Sequence, residues 1–83
     1  MNSADMPDEV LDALGLACPQ PVVRARERLE VMRPDQVLEV RADDPLAELD
    51  LQVFCERFGH DFLGGIEAAG YWRIRIRKRS SDR

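Results

Sequence analysis

Apolar residues recur along this chain with two different periods, and the switches between them mark out the elements. Val22, Ala25, Leu29 and Met32 follow one another at steps of three, four and three, which sets them on one stripe of a helix. Arg24, Glu27 and Arg28 fall on the opposite face, and Pro19 and Pro34 bracket a helix predicted over residues 19–33. Ala47, Leu51, Phe54 and Phe58 share a face of a second helix, with Asp44 as its predicted N-cap, Pro45 at its first position and Gly59 just beyond its end. The other apolar segments alternate. Leu38, Val40 and Ala42 point one way while Glu39 and Arg41 point the other, and Trp72, Ile74 and Ile76 alternate with Arg73, Arg75 and Arg77. A short strand is predicted over residues 10–14 and a weaker one over 62–69, where Gly64-Gly65 suggests a bulge and Gly70 a tight turn into the last strand.

The predicted order is βαβαββ. Right-handed crossovers place both helices on one face of a four-stranded mixed sheet, giving an α+β fold: a two-layer sandwich with one open sheet face. Residues 1–9 are expected to be a flexible N-terminal tail, 10–79 the domain, and 80–83 a C-terminal tail.

Eighty-three residues suffice for one domain with a modest core and a surface site, with little room for a deep cofactor pocket. Hydrophobic residues at 45% and charged residues at 34% fit a folded soluble chain. No run approaches the roughly 18 apolar residues of a membrane span. Asp5, Asp8 and Glu9 stand where an export signal would carry positive charge, so the expected location is the cytoplasm and no membrane partner is expected. The net charge of −4 argues against a general nucleic-acid coat. Its distribution is polar: residues 1–12 hold four acids and no bases, and residues 71–83 hold six bases against Asp82. Two cysteines and His60 lack the spacing of a zinc set, so neither metal nor cofactor is expected. In a reducing compartment Cys18 and Cys55 are not expected to pair.

The chemistry centres on Cys18-Pro19-Gln20-Pro21. With Cys18 read as the N-cap of the first helix, the positive end of the helix dipole and its unpaired N–H groups favour a thiolate, the form that attacks sulfane sulfur. The prolines make the first turn rigid and leave the N–H groups of Gln20 and Val22 nearest the sulfur, at least one of them expected to point at it. Arg24 is the basic residue close enough to assist, and Asp44 is a second candidate for partner docking besides its capping role. Cys55, beside the apolar face of the second helix, reads as structural, and His60 as a loop residue. No second cysteine lies in a C-x-x-C arrangement, so an accepted sulfur would persist until another protein takes it. Three readings are open on the residues alone. The first is a persulfide carrier on Cys18. The second is a non-catalytic RNA- or protein-binding module built on Arg73, Arg75 and Arg77, although these arginines read first as the solvated side of the strand, paired with Glu39, Glu67 or Asp12 on neighbouring strands. The third is a thiol oxidoreductase that would need Cys55.

Leu11-Asp12-Ala13-Leu14-Gly15-Leu16-Ala17-Cys18-Pro19-Gln20-Pro21 resembles the opening of the TusA (SirA-like) sulfur-carrier family, whose signature is C-P-x-P. The similarity continues through Ala42-Asp43-Asp44-Pro45, Phe54-Cys55, Gly59-His60 and Ile74-Arg75-Ile76-Arg77-Lys78, covering residues 10–79, and is greatest to the TusA branch. The family often has Gly before the second strand, where this chain has Pro34-Asp35-Gln36. The resemblance implies a βαβαββ two-layer fold. It also implies that Cys18 accepts sulfur from a cysteine desulfurase and passes it to a downstream relay complex, for 2-thiolation of the tRNA wobble uridine, with no direct tRNA binding. Relatives serve molybdenum-cofactor synthesis or sulfur oxidation instead. Such a protein is a sulfurtransferase-type co-substrate, loaded and unloaded by others, and not a stand-alone enzyme.

Overall fold

Ile74 and Ile76 are fully buried and alternate with arginines that reach the other side of the sheet, so the last strand is one-sided, as its sequence pattern requires. In this computed structural model, which describes residues 6–79, the elements are β1 (Glu9–Ala13), α1 (Gln20–Val31), β2 (Val37–Ala42), α2 (Ala47–Phe58), β3 (Asp61–Glu67) and β4 (Trp72–Arg77). The βαβαββ order follows the predicted one. The sheet order is β1-β2-β4-β3, with β1 parallel to β2 and β4 antiparallel to both of its neighbours. The fold is the expected α+β sandwich: α1 packs over β1 and β2, α2 over β3 and β4, and the helices touch each other.

Between the layers, Leu38, Val40, Ile74 and Ile76 meet Ala25 and Leu29 of α1, Met32 just beyond its end, and Leu51, Phe54 and Cys55 of α2. Each large apolar side chain buried here contributes about 1.5–3 kcal/mol. Phe58, expected on the buried stripe of α2, is instead half exposed at 52%. It lies at the end of the helix, where its ring stacks on Phe54 at 5.0 Å between centroids and takes the Arg26 guanidinium over its face at 5.0 Å.

The sheet boundaries differ from expectation at the N-terminal edge. Glu9 joins β1, and its carboxylate accepts from Arg28 of α1 at 2.8 Å. Asp8 is also held: its N–H donates to Val37 O at 2.8 Å and its carboxylate accepts from Val37 N at 2.7 Å. Asp8 and Glu9, expected in the tail, are thus tied to the sheet and to α1, while residues 1–5 and 80–83 of the expected tails lie outside the described residues. The bulge in β3 is real: the register passes from Phe62 opposite Ile76 to Gly64 opposite Arg75, and Gly64 takes φ +104°. At the turn before β2, Asp35 adopts φ +73°, a left-handed conformation that Asp tolerates better than most residues, which is how the chain manages without glycine there.

The open face of the sheet is covered by its own charges. Glu39 of β2 points away from the helices, as predicted, yet is fully buried because Arg41, Arg73 and Arg75 close over it with contacts of 2.8, 3.3 and 3.0 Å. Burial pushes the Glu39 carboxyl up, but the hydrogen bonds from the three guanidinium groups outweigh it and hold it below the usual carboxylate range.

Candidate functional site

The parallel pairing of β1 and β2 places Ala13 opposite Ala42, so the loops that leave their C-terminal ends are neighbours. The first carries Cys18 and the second Asp43 and Asp44. The two acids fasten the cysteine loop. Gly15 N–H donates to both oxygens of Asp43 at 3.1 and 3.2 Å, and Cys18 N–H donates to Asp44 Oδ2 at 2.9 Å. The other Asp44 oxygen accepts from Leu46 N at 2.8 Å. Asp44 thus ties the start of α2 to the cysteine, and these two backbone hydrogen bonds lower its pKa. It is not the N-cap predicted from the sequence; that position falls to Leu46, two residues on, without a side-chain cap.

Cys18 is exposed, and its Sγ donates to Asp50 Oδ2 at 2.6 Å. Sequence reasoning missed Asp50. Its signal is the spacing of Asp50, Val53, Phe54 and Arg57, a helical i, i+3, i+4, i+7 stripe beside the core stripe. With Cys18, Pro19 and Val22 these side chains line an open, mostly apolar groove of about 380 Å³ between the two helices. Leu49, Val53 and Phe58 are all substantially exposed along it.

The electrostatics of the thiol reverse the sequence expectation. Cys18 has a raised pKa, first because its side chain is hydrogen-bonded to Asp50, then through desolvation and the negative charges of Asp50 and Asp44. Cys18 is also not the N-cap that the sequence suggested. Pro19 holds that position, and α1 begins at Gln20, one residue later than predicted. The N–H groups expected to face the sulfur are used elsewhere: Gln20 N donates to Ala17 O at 2.8 Å and Val22 N to Pro19 O at 3.1 Å. Pro21 packs into the core. Arg24 is exposed and does not line the groove; the cation that does is Arg57.

Cys55 is buried, and its thiol is pushed up to about 12 by burial, with Asp61 and Glu56 adding to the shift. His60 caps the edge of the core beside Phe54 and accepts from Arg79 N at Nδ1, 3.3 Å away. Its pKa is lowered, chiefly by burial. No helix among the described residues is long and apolar enough to cross a membrane.

Fold and site together define a class: a small α+β domain that presents one exposed thiol at the joint between two helices, with its second cysteine inside. A family model described as sulfurtransferase TusA matches residues 9–78, and the chain belongs to that family. It is 40% identical over 73 residues to the sulfur carrier protein TusA of Pseudomonas entomophila, covering 88% of this chain and 91% of that one. The TusA of Pseudomonas putida is 39% identical over 74 residues, 89% and 92% of the two chains. YrkF of Bacillus subtilis is 43% identical over 61 residues, 74% of this chain, which spans about a third (32%) of YrkF. The crystal structure of a SirA-like protein from Desulfitobacterium hafniense superimposes with a TM-score of 0.70 at 29% identity, covering 87% of this chain and 99% of that one.

Proposed function

We propose that this protein carries sulfur as a persulfide on Cys18, taking it from a cysteine desulfurase and giving it to a downstream relay, with 2-thiolation of the tRNA wobble uridine as the end point. The observation that carries the reading is the contrast between its two cysteines. Cys18 is exposed in Cys18-Pro19-Gln20-Pro21 at the mouth of an apolar groove, and Cys55 is buried with its thiol held protonated.

In the loading step the Cys18 sulfur, having lost its proton, attacks the outer sulfur of the donor's persulfide. A new sulfur–sulfur bond forms on Cys18, the bond in the donor breaks, and the donor cysteine leaves with the electron pair as a thiolate. Unloading is the same displacement with an acceptor thiolate as attacker. Buried Cys55 offers no resolving thiol, which favours a carrier over an oxidoreductase. Arg73 and Arg75 are engaged with Glu39, which favours a protein co-substrate in the cytoplasm over a direct RNA-binding module.

The test is incubation with a cysteine desulfurase and cysteine, followed by intact-protein mass spectrometry. The wild type and Cys55→Ser should each gain the mass of sulfur and Cys18→Ser should not. Sulfur uptake by Cys18→Ser equal to wild type would contradict the assignment. Transfer onward is read as thiolated tRNA in a reconstituted relay, and its failure with loaded protein would redirect the pathway to another sulfur acceptor.

A further inference from the structure

We propose that Asp50 is a latch on the empty carrier: its carboxylate, in hydrogen-bond contact with Cys18 Sγ across the joint of α1 and α2, keeps the thiol protonated until a cationic group of the sulfur donor draws that carboxylate away. The inference rests on the carrier reading of Cys18 and adds a positioning residue to it.

A carboxylate 2.6 Å from sulfur is an acceptor for S–H. Were Cys18 ionised in that geometry, two anions would be in contact with no proton between them. The remaining charged groups do not relieve this. Asp44, in the loop before α2, adds negative charge, and both its oxygens are already taken by Cys18 N and Leu46 N. Asp43, beside it, accepts from Gly15 N. On α1, Arg24 is exposed outside the groove and Arg26 is spent on the Phe58 ring and on Glu30 at 3.6 Å. On α2, Arg57 lies two turns beyond Asp50 along the groove. The local balance therefore favours the neutral thiol, and the charge that would reverse it has to come from outside.

The groove gives an incoming group its route. Apart from Cys18 and Arg57, the trough that Asp50 lines is walled by Pro19, Val22, Leu49, Val53, Phe54 and Phe58, so a docked partner removes water from around the carboxylate and strengthens any ion pair made to it. A guanidinium or ammonium paired with Asp50 cancels the repulsion, and the thiol proton leaves to solvent. The thiolate then attacks the outer sulfur of the donor persulfide, and the donor cysteine departs as thiolate. The latch does not hold the loaded protein, because the inner sulfur of a persulfide carries no hydrogen and the outer sulfur, ionised at neutral pH, has none to donate to Asp50. A lone exposed cysteine is open to oxidation in proportion to its thiolate character, so protonation in the free state also protects the unloaded carrier.

The experiment uses the full chain without a partner. The rate of iodoacetamide alkylation of Cys18 is measured against pH for the wild type and Asp50→Asn, which keeps the shape of the side chain and removes its charge. Asp50→Ala is a second variant, and circular dichroism verifies the fold of each. The midpoint should fall in both variants. The rate at neutral pH should rise by about threefold for each unit of that fall, since the gain in thiolate is offset in part by its lower nucleophilicity. A midpoint that stays in place or rises in a folded variant overturns the latch. Alkylation reads the acidity of Cys18 without sulfur transfer, so an unmoved midpoint in a protein that still loads sulfur removes the latch alone, whereas wild-type protein that does not load removes the carrier reading.

Discussion

Cys18 Sγ and Asp50 Oδ2 are 2.6 Å apart although 32 positions separate them in the chain, and that contact sets the acidity of the candidate sulfur-bearing thiol. The hydrogen bond to Asp50 is the largest influence on Cys18 and raises its pKa. In the free wild-type protein the alkylation of Cys18 should therefore rise through a midpoint above the ordinary thiol value of about 8.5. At neutral pH it should be slower than that of an unstructured cysteine peptide. A midpoint below the ordinary value would mean that the start of α1, and not Asp50, governs the sulfur.

Asp44 joins two elements through backbone hydrogen bonds to Leu46 and Cys18, and these lower its pKa. A lowered folded-state pKa means a stabilising contribution that is present above the unfolded carboxyl value, about 3.9, and is lost as pH falls through the folded value. Asp44→Ala should lower the melting temperature at neutral pH and speed amide hydrogen exchange at Cys18 and Leu46. The difference in melting temperature should narrow in acid. Thermal melts across pH check this, and equal melting temperatures at neutral pH would contradict it.

Glu39 is fully buried beneath three arginines of which two, Arg41 and Arg73, are more than a third exposed, so solvent screens part of the attraction. Glu39→Gln keeps the volume but leaves the guanidinium groups facing one another. It should destabilise the protein at neutral pH by about 1–3 kcal/mol, the cost of leaving buried polar groups poorly satisfied and less than the roughly 3–5 kcal/mol of breaking a fully buried ion pair. Because the folded pKa of Glu39 lies below the ordinary value, its advantage is held above the unfolded pKa and fades as pH falls through the folded one. Urea unfolding of the wild type and variant should therefore converge in acid. A gap that widens there would contradict the assignment.

The fold was legible because each element announces itself locally. The alternation of Trp72, Ile74 and Ile76 with arginines, the stripe from Ala25 to Met32 and the paired glycines at 64 and 65 each had one structural solution, and the structure adopts it. Cys18 and Asp44 were legible as residues and misread in role. The helix start depends on which carbonyls the N–H groups of Gln20 and Val22 find, and local spacing does not decide between the Ala17 and Pro19 carbonyls and the sulfur. Asp50 was hidden because its contact is made across two elements, through packing that brings the first turn of α2 against the start of α1. The pairing of Glu39 with the arginines of the last strand was legible from the alternation and is borne out, whereas its complete burial depends on the β2–β4 register, which sets it opposite Arg75 with Arg41 and Arg73 closing over it.

The most direct measurement of the central claim is peptide-level mass spectrometry of protein charged by a cysteine desulfurase and trapped by alkylation. The account predicts the added sulfur on the peptide containing Cys18, with the peptide containing Cys55 unmodified. Sulfur found on Cys55, or on neither cysteine while the desulfurase is turning over, would contradict it.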